Sequence, residues 1–214
     1  MDYDSLIKNY NFDTGDIILY ERVNSYKSWS DYLFNFIDGG IKYFTGSKYT
    51  HVAMVVKNPP WNFDLQGLYI IESNRDNIPD VEDNKIKCGV ELIPLRKVFE
   101  NKENNYYLRK LHCKRNQSFN KKLIEAHKLV YNKPYDLDIM DWIKGGLHLN
   151  VGNTHKTNTF WCSALVSYLY YKLGLIREVP WTIISPKELG TESENTKNSI
   201  EFINCIVDKE VKIN

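Results

Sequence analysis

Thr159-Phe160-Trp161-Cys162-Ser163-Ala164-Leu165-Val166-Ser167-Tyr168-Leu169-Tyr170-Tyr171-Lys172-Leu173-Gly174 is the stretch on which the fold turns. Leu165, Val166, Leu169, Tyr170 and Leu173 recur at helical spacing, and Gly174 is a natural residue to end a helix. The helix therefore starts near Cys162 and places that thiol in its first turn. Unpaired amides and the positive end of the helix dipole stabilise a thiolate there. The same amides can hold the oxyanion of a tetrahedral intermediate. A cysteine at a helix start is also an ordinary small core residue, so the chemistry depends on what stands near it.

An activated thiol needs a base, and the chain has five histidines. His51 opens the β-branched run His51-Val52-Ala53-Met54-Val55-Val56, which puts an imidazole at a rigid strand end. Glu72 follows the apolar strand Leu68-Tyr69-Ile70-Ile71, and a carboxylate in such company should be paired or at a cleft edge. It is the candidate to orient the imidazole and fix its tautomer. The other histidines read as background. His127 belongs beside Leu123 and Val130 on a helix; His148 and His155 flank Gly152 in a loop; His112 lies at a strand end without metal-ligand spacing.

Outward from these residues, the pattern is α+β. Gly15-Asp16 turns the chain into a strand over Ile17-Ile18-Leu19-Tyr20, and further strands are expected at Val90–Ile93, Tyr106–Leu111 and Phe202–Val207. Phe119–Tyr131 reads as a helix. Trp29–Phe44 carries Leu33, Phe36, Ile37, Ile41 and Phe44 at roughly helical spacing, interrupted by Gly39-Gly40. Ser185-Pro186-Lys187-Glu188 is a capping box with proline at the position it tolerates. Gly190–Ser199 is polar and expected as a surface loop. The whole of 1–214 is expected as one domain, with a core over about 12–190 and a closing strand and tail over 191–214.

Taken together and in order, these runs resemble the circularly permuted NlpC-like enzymes. The first half of the resemblance lies in Gly15-Asp16-Ile17-Ile18-Leu19, Ser47-Lys48-Tyr49-Thr50-His51-Val52-Ala53-Met54-Val55 and Ile70-Ile71-Glu72-Ser73. The second half lies in Lys133-Pro134-Tyr135-Asp136, Phe160-Trp161-Cys162-Ser163-Ala164-Leu165-Val166 and Ser185-Pro186-Lys187-Glu188-Leu189. That superfamily includes bacterial YiiX- and YebB-like proteins, a poxvirus group and relatives of lecithin retinol acyltransferase. The order is the informative part: His, then the acid, then Cys, where unpermuted papain-like enzymes carry Cys first. Ala53 stands where many relatives have Gly.

The resemblance implies a papain-like fold, an antiparallel sheet packed against the helix that bears the nucleophile. It implies Cys162 as nucleophile, His51 as base and Glu72 as the group orienting it. Tyr135 matches a tyrosine lining the site, in a substrate or oxyanion role, and Trp161 adjoins the nucleophile. Asp16 most resembles a structural residue, with a cleft role as the alternative. The expected function is a thiol hydrolase or acyltransferase that cleaves an amide or ester through an acyl-cysteine, without cofactor or metal. Its substrate would be a small-molecule, lipid or peptide acyl group. Trp29–Phe44, set between two site elements, is either an acyl pocket or lid or an ordinary helix packed on the sheet. The alternative function is a catalytically silent lipid- or peptide-binding module on the same fold.

Bulk properties agree with a folded, enzyme-sized chain. Lys and Arg number 28 against 27 Asp and Glu, a net charge of +1, which leaves no electrostatic footprint for nucleic acid. Cys88, Cys113, Cys162 and Cys205 form no CxxC pair, so a structural zinc site is not expected and reduced thiols are. No stretch approaches the roughly 18 apolar residues of a membrane span. Met1-Asp2-Tyr3-Asp4 starts no signal peptide, so the expected location is cytoplasmic, with peripheral membrane contact left open.

Overall fold

Ile17–Arg22 (β1) is buried along its first four residues on both faces, so this strand lies inside a layered structure. The computed structural model of the chain describes residues 2–23, 46–75, 77–136, 155–193 and 199–214. The elements are Tyr3–Tyr10 (α1), β1, His51–Lys57 (β2), Leu68–Asn74 (β3), Gly89–Pro94 (β4), Leu95–Glu100 (α2), Asn104–Arg109 (β5), Leu111–His112 (β6), Gln117–Val130 (α3), Cys162–Leu173 (α4), Ile206–Val207 (β7) and Val211–Lys212 (β8). Short 3-10 turns cover Trp181–Ile183, Pro186–Leu189 and Thr191–Ser193.

Six strands form one antiparallel sheet in the order β4-β3-β2-β1-β5-β8. Alternation along the strands sorts the apolar side chains into two cores. Ile17, Leu19, Val52, Met54, Val56, Ile71 and Leu92 face α3 and α4. Ile18, Ala53, Val55, Ile70, Ile93 and Leu108 face α1 and α2, meeting Leu6, Phe12, Leu95, Val98 and Phe99. The fold is thus mixed α+β, an antiparallel sheet with helices on both faces.

Local chemistry explains most boundaries. Asn116 caps α3 by accepting from the Phe119 amide at 3.0 Å, and Asp2 caps α1 through the Ser5 amide at 2.9 Å. Gly174 ends α4 at φ 74°, in the left-handed region that costs glycine little. The Ser185 amide donates to the Glu188 carboxylate at 2.8 Å and the Ser185 side chain accepts from the Glu188 backbone, so the expected capping box is present. It starts a 3-10 turn rather than a longer helix.

Several boundaries differ from the sequence pattern. The run Tyr106–Leu111 divides, because β5 stays in the main sheet while β6 leaves it to pair with β7. The strand expected over Phe202–Val207 shortens to Ile206–Val207, since Asn204 takes φ 57° and Phe202 makes only an isolated bridge to Ile176. Helices α1 and α2 are short, and each is held by a few buried residues, Leu6 in one and Leu95, Val98 and Phe99 in the other. The Trp29–Phe44 segment and His148 lie outside the described residues.

Buried Arg109 fastens the closing segment to the sheet. Its Nε donates to the Asp208 carbonyl at 2.8 Å and its Nη1 to the Leu189 carbonyl at 2.9 Å, so this cation is held by backbone oxygens.

Candidate active site

Trp161 is the N-cap of α4, extended at φ −89° and ψ 173°, with no side-chain cap on the helix. The first helical bond is the Leu165 amide to the Trp161 carbonyl at 3.0 Å. The amides of Cys162, Ser163 and Ala164 precede it and have no acceptor within the helix. Cys162 is therefore at N1, as the sequence pattern predicts, and is buried at 3% exposure.

Cys162 is aimed by its neighbours. The Phe160 carbonyl accepts from the Ser73 hydroxyl at 2.6 Å and from the Asp136 amide at 3.1 Å. The Phe160 amide donates to the Pro134 carbonyl at 3.1 Å, and the Ser163 hydroxyl to the Ile184 carbonyl at 2.6 Å. Residues two before and one after the thiol are thus bonded to β3, to the 134–136 strip and to the segment after Ile183. The strip in turn runs beside β4: Tyr135 donates its amide to the Cys88 carbonyl, and Gly89 bridges Pro134.

His51 Nε2 lies 2.5 Å from Glu72 Oε2. Glu72 is 1% exposed, and the Tyr20 hydroxyl donates to the same oxygen at 3.3 Å, while Asn74 Nδ2 reaches the other at 3.5 Å. Tyr20 is the cross-strand partner of His51 and meets it edge-on, with ring centroids 4.8 Å apart. The imidazole is fixed from two sides.

Sheet geometry shows how Cys162 reaches this pair. By alternation His51 and Glu72 share a face with Ala53, Val55 and Ile70, whereas Cys162 belongs to the core on the other face. The β2–β3 ladder runs from Lys57↔Leu68 only to Met54↔Ile71. Both strands continue three residues beyond it, His51–Ala53 on one and Glu72–Asn74 on the other. The thiol lies near the imidazole at this open end of the ladder, close enough for its charge to act on His51.

The electrostatics follow from that arrangement. Burial by itself disfavours the charged imidazole, but the charges of Cys162 and Glu72 and the hydrogen bond to Glu72 outweigh it. The result holds the His51 pKa well above the usual 6.5. Histidine between an acid and a thiol is the arrangement that moves a proton to and from sulfur.

The remaining expected residues divide. Tyr135 stands beside Phe160, two residues before Cys162. Trp161 is 8% exposed and packed in the α4-side core, which makes its side chain part of the wall. Asp16 is at the far end of β1: β1 pairs Ile17 with Met54 but Tyr20 with His51. It is fully buried, bonded to the Leu111 and Asp13 amides at 2.9 Å each and to Lys110 Nζ at 2.5 Å. The structure gives Asp16 the structural role and separates it from the thiol. His127 stacks on Trp61 and bonds Glu82 at 3.0 Å, and His155 packs against Trp181.

Tyr20, Ser73 and Asn74 belong to the site and were not singled out by sequence. Their signal was positional: Tyr20 ends the first apolar run, and Ser73-Asn74 follow the acid. Only the strand register turns those positions into contacts. Glu91, the cross-strand partner of Glu72, is equally buried at 1%. Among the described residues no group of three His, Cys, Asp or Glu side chains is placed to hold a metal ion, and no helix is long and apolar enough to cross a membrane.

No protein-family model matches the sequence, and no curated protein matches it. Among solved structures, the chain is similar to the crystal structure of the metalloprotein YiiX from Escherichia coli O157:H7. The likeness covers 94% of this chain and 95% of that one at 18% identity, with a TM-score of 0.46. At that level no residue role is carried over.

Proposed function

We propose that this chain is a thiol hydrolase or acyltransferase of the permuted NlpC-like, papain-fold type, cleaving an amide or ester through an acyl-cysteine. The observation that carries the reading is partly buried His51 held between Cys162 at a helix start and Glu72 on β3. Cys162 attacks the acyl carbon as thiolate. His51 gives its proton to the departing amine or alcohol, then takes one from the water or second acceptor that releases the acyl group. Glu72 holds the ring and balances its positive charge. The unpaired amides at the start of α4 face the negative charge developing on the carbonyl oxygen. The substrate class is an acyl-bearing lipid or peptide.

The test uses a limiting thiol-alkylating probe on the folded protein, with peptide mass mapping. Selective labelling of Cys162 over Cys88, Cys113 and Cys205, abolished by His51→Ala, is the expected result. Equal, slow labelling of all four would sink the reading. A donor panel of phospholipids, N-acyl amino acids and peptide amides, compared between wild type and Cys162→Ala, then identifies the acyl group. Binding of a donor without Cys162-dependent turnover would assign the chain as a binding module instead.

A further inference from the structure

Cys113 and Cys205 lie far apart in sequence and outside the site. β6 and β7 pair antiparallel with Leu111 opposite Val207 and His112 opposite Ile206. Continued one step past the ends of β6 and β7, that register would set Cys113 opposite Cys205. Antiparallel partners have Cα separations of about 4.5 or 5.5 Å, and disulfides span Cα separations of about 4.4–6.8 Å. Both thiols are free and half-buried, and the charge on Cys113 is felt at Cys205. The Cys205 thiol also rests 3.5 Å from the Leu175 carbonyl. Cys88 is exposed and Cys162 is buried at the start of α4, while Cys113 and Cys205 are half-buried, so the four thiols divide into three environments.

We infer that Cys113 and Cys205 are a disulfide-forming pair, closed by exchange with a low-molecular-weight disulfide. One thiolate attacks the small disulfide and expels a small thiolate, leaving a mixed disulfide on the protein. The second cysteine attacks that protein sulfur and expels the other small thiolate. Two protein thiols are oxidised, one small disulfide is reduced to two thiols, and the two protons remain with those products.

The bond would fasten the last described segment, 199–214, to the body of the sheet. That segment carries Glu210, which accepts from the Tyr49 hydroxyl at 2.8 Å and from the Thr191 hydroxyl at 2.5 Å. Tyr49 is buried two residues before His51. Burial pushes the Cys205 thiol up to about 11, and it raises Cys113 against the opposing charge of Arg115. Exchange is therefore slow at neutral pH compared with the exposed Cys88.

The experiment incubates the full, reduced chain with oxidised glutathione under native conditions, in the wild type and in Cys162→Ala. Free thiols are then blocked and peptides mapped by mass spectrometry without reduction. The expected product is one linked pair of peptides containing Cys113 and Cys205, absent in Cys113→Ser and in Cys205→Ser. Its melting temperature rises by roughly 5–15 °C and falls back on reduction. The linked peptides decide the matter in wild type even if a serine variant folds poorly. Separate glutathione adducts on Cys113 and Cys205, linkage of either to Cys88, or two unmodified thiols in a protein with native circular dichroism would each overturn the pairing.

Discussion

The 2.5 Å contact between His51 Nε2 and Glu72 Oε2 joins two strands at the end where their ladder has already stopped. With Glu72 buried, this contact fixes the imidazole so that its remaining hydrogen-bonding capacity serves Cys162. Glu72→Gln keeps the shape and removes the charge. Cys162-dependent turnover should fall by about 10²–10⁴-fold with the fold intact, the scale seen when a triad acid is neutralised. Steady-state kinetics with circular dichroism on the same sample checks both halves.

Tyr20→Phe is the milder probe. It keeps the edge-on ring against His51 and removes only the 3.3 Å bond to Glu72. A hydrogen bond to a charged group is worth about 1.5–3 kcal/mol, and at 3.3 Å this one falls at the low end, so the loss should be roughly tenfold. A loss comparable with that of Glu72→Gln would assign Tyr20 a direct part in the chemistry.

The pH dependence has a definite sign. The His51 pKa is raised well above 6.5 in the folded chain. Its contribution to stability is therefore fully present below its unfolded value, near 6.5, and is lost as pH rises through the higher folded value. Chemical denaturation across pH in wild type and His51→Gln should show that extra slope only in wild type. Histidine NMR should also show the His51 midpoint falling in Cys162→Ser, because one of the two charges raising it is gone.

Asp16 should matter to folding and little to catalysis. Asp16→Ala leaves Lys110 and two backbone amides without their buried acceptor. Leaving a buried amide donor without its acceptor costs about 1–3 kcal/mol, and loss of the Lys110 pair, a quarter exposed on the lysine side, adds less. Urea denaturation should record that loss. Under conditions where the variant remains folded, the rate of Cys162 alkylation should be close to that of wild type.

Gly89→Ala should disturb the site from a distance. A Cβ there would meet the Lys133 carbonyl oxygen at 2.3 Å and Pro134 Cα at 2.8 Å, both backbone atoms that cannot swing away. The glycine also sits at φ 151°, which side chains rarely adopt. The 133–136 strip would shift, and with it Phe160, two residues before Cys162. Both the melting temperature and the Cys162 labelling rate should drop, the second by more than stability alone accounts for at a temperature where the variant is folded.

Legibility followed the strength of the local pattern. Helix α4 was readable because its apolar spacing, its starting thiol and its closing Gly174 agree, and the strands carrying His51 and Glu72 because they are long β-branched or apolar runs. The short elements were not. Helix α2 and strands β6–β8 owe their form to what they pack on or pair with, and a two-residue strand has no period to detect.

The amino-acid sequence by itself determined the α+β pattern, the placing of Cys162 in the first turn of a helix, and the placing of His51 and Glu72 on strands. Those are consequences of side-chain periodicity, capping and residue chemistry, which act over a few neighbours. Only the tertiary structure decided that the β2–β3 ladder ends at Met54↔Ile71 and that His51 meets both Glu72 and Cys162 at that opening. It alone sent Asp16 to the opposite end of β1 and set Tyr20 across from His51. Register is the reason: a one-residue slip exchanges the faces of a strand, and nothing local in the chain specifies which residue of one strand stands opposite which residue of another.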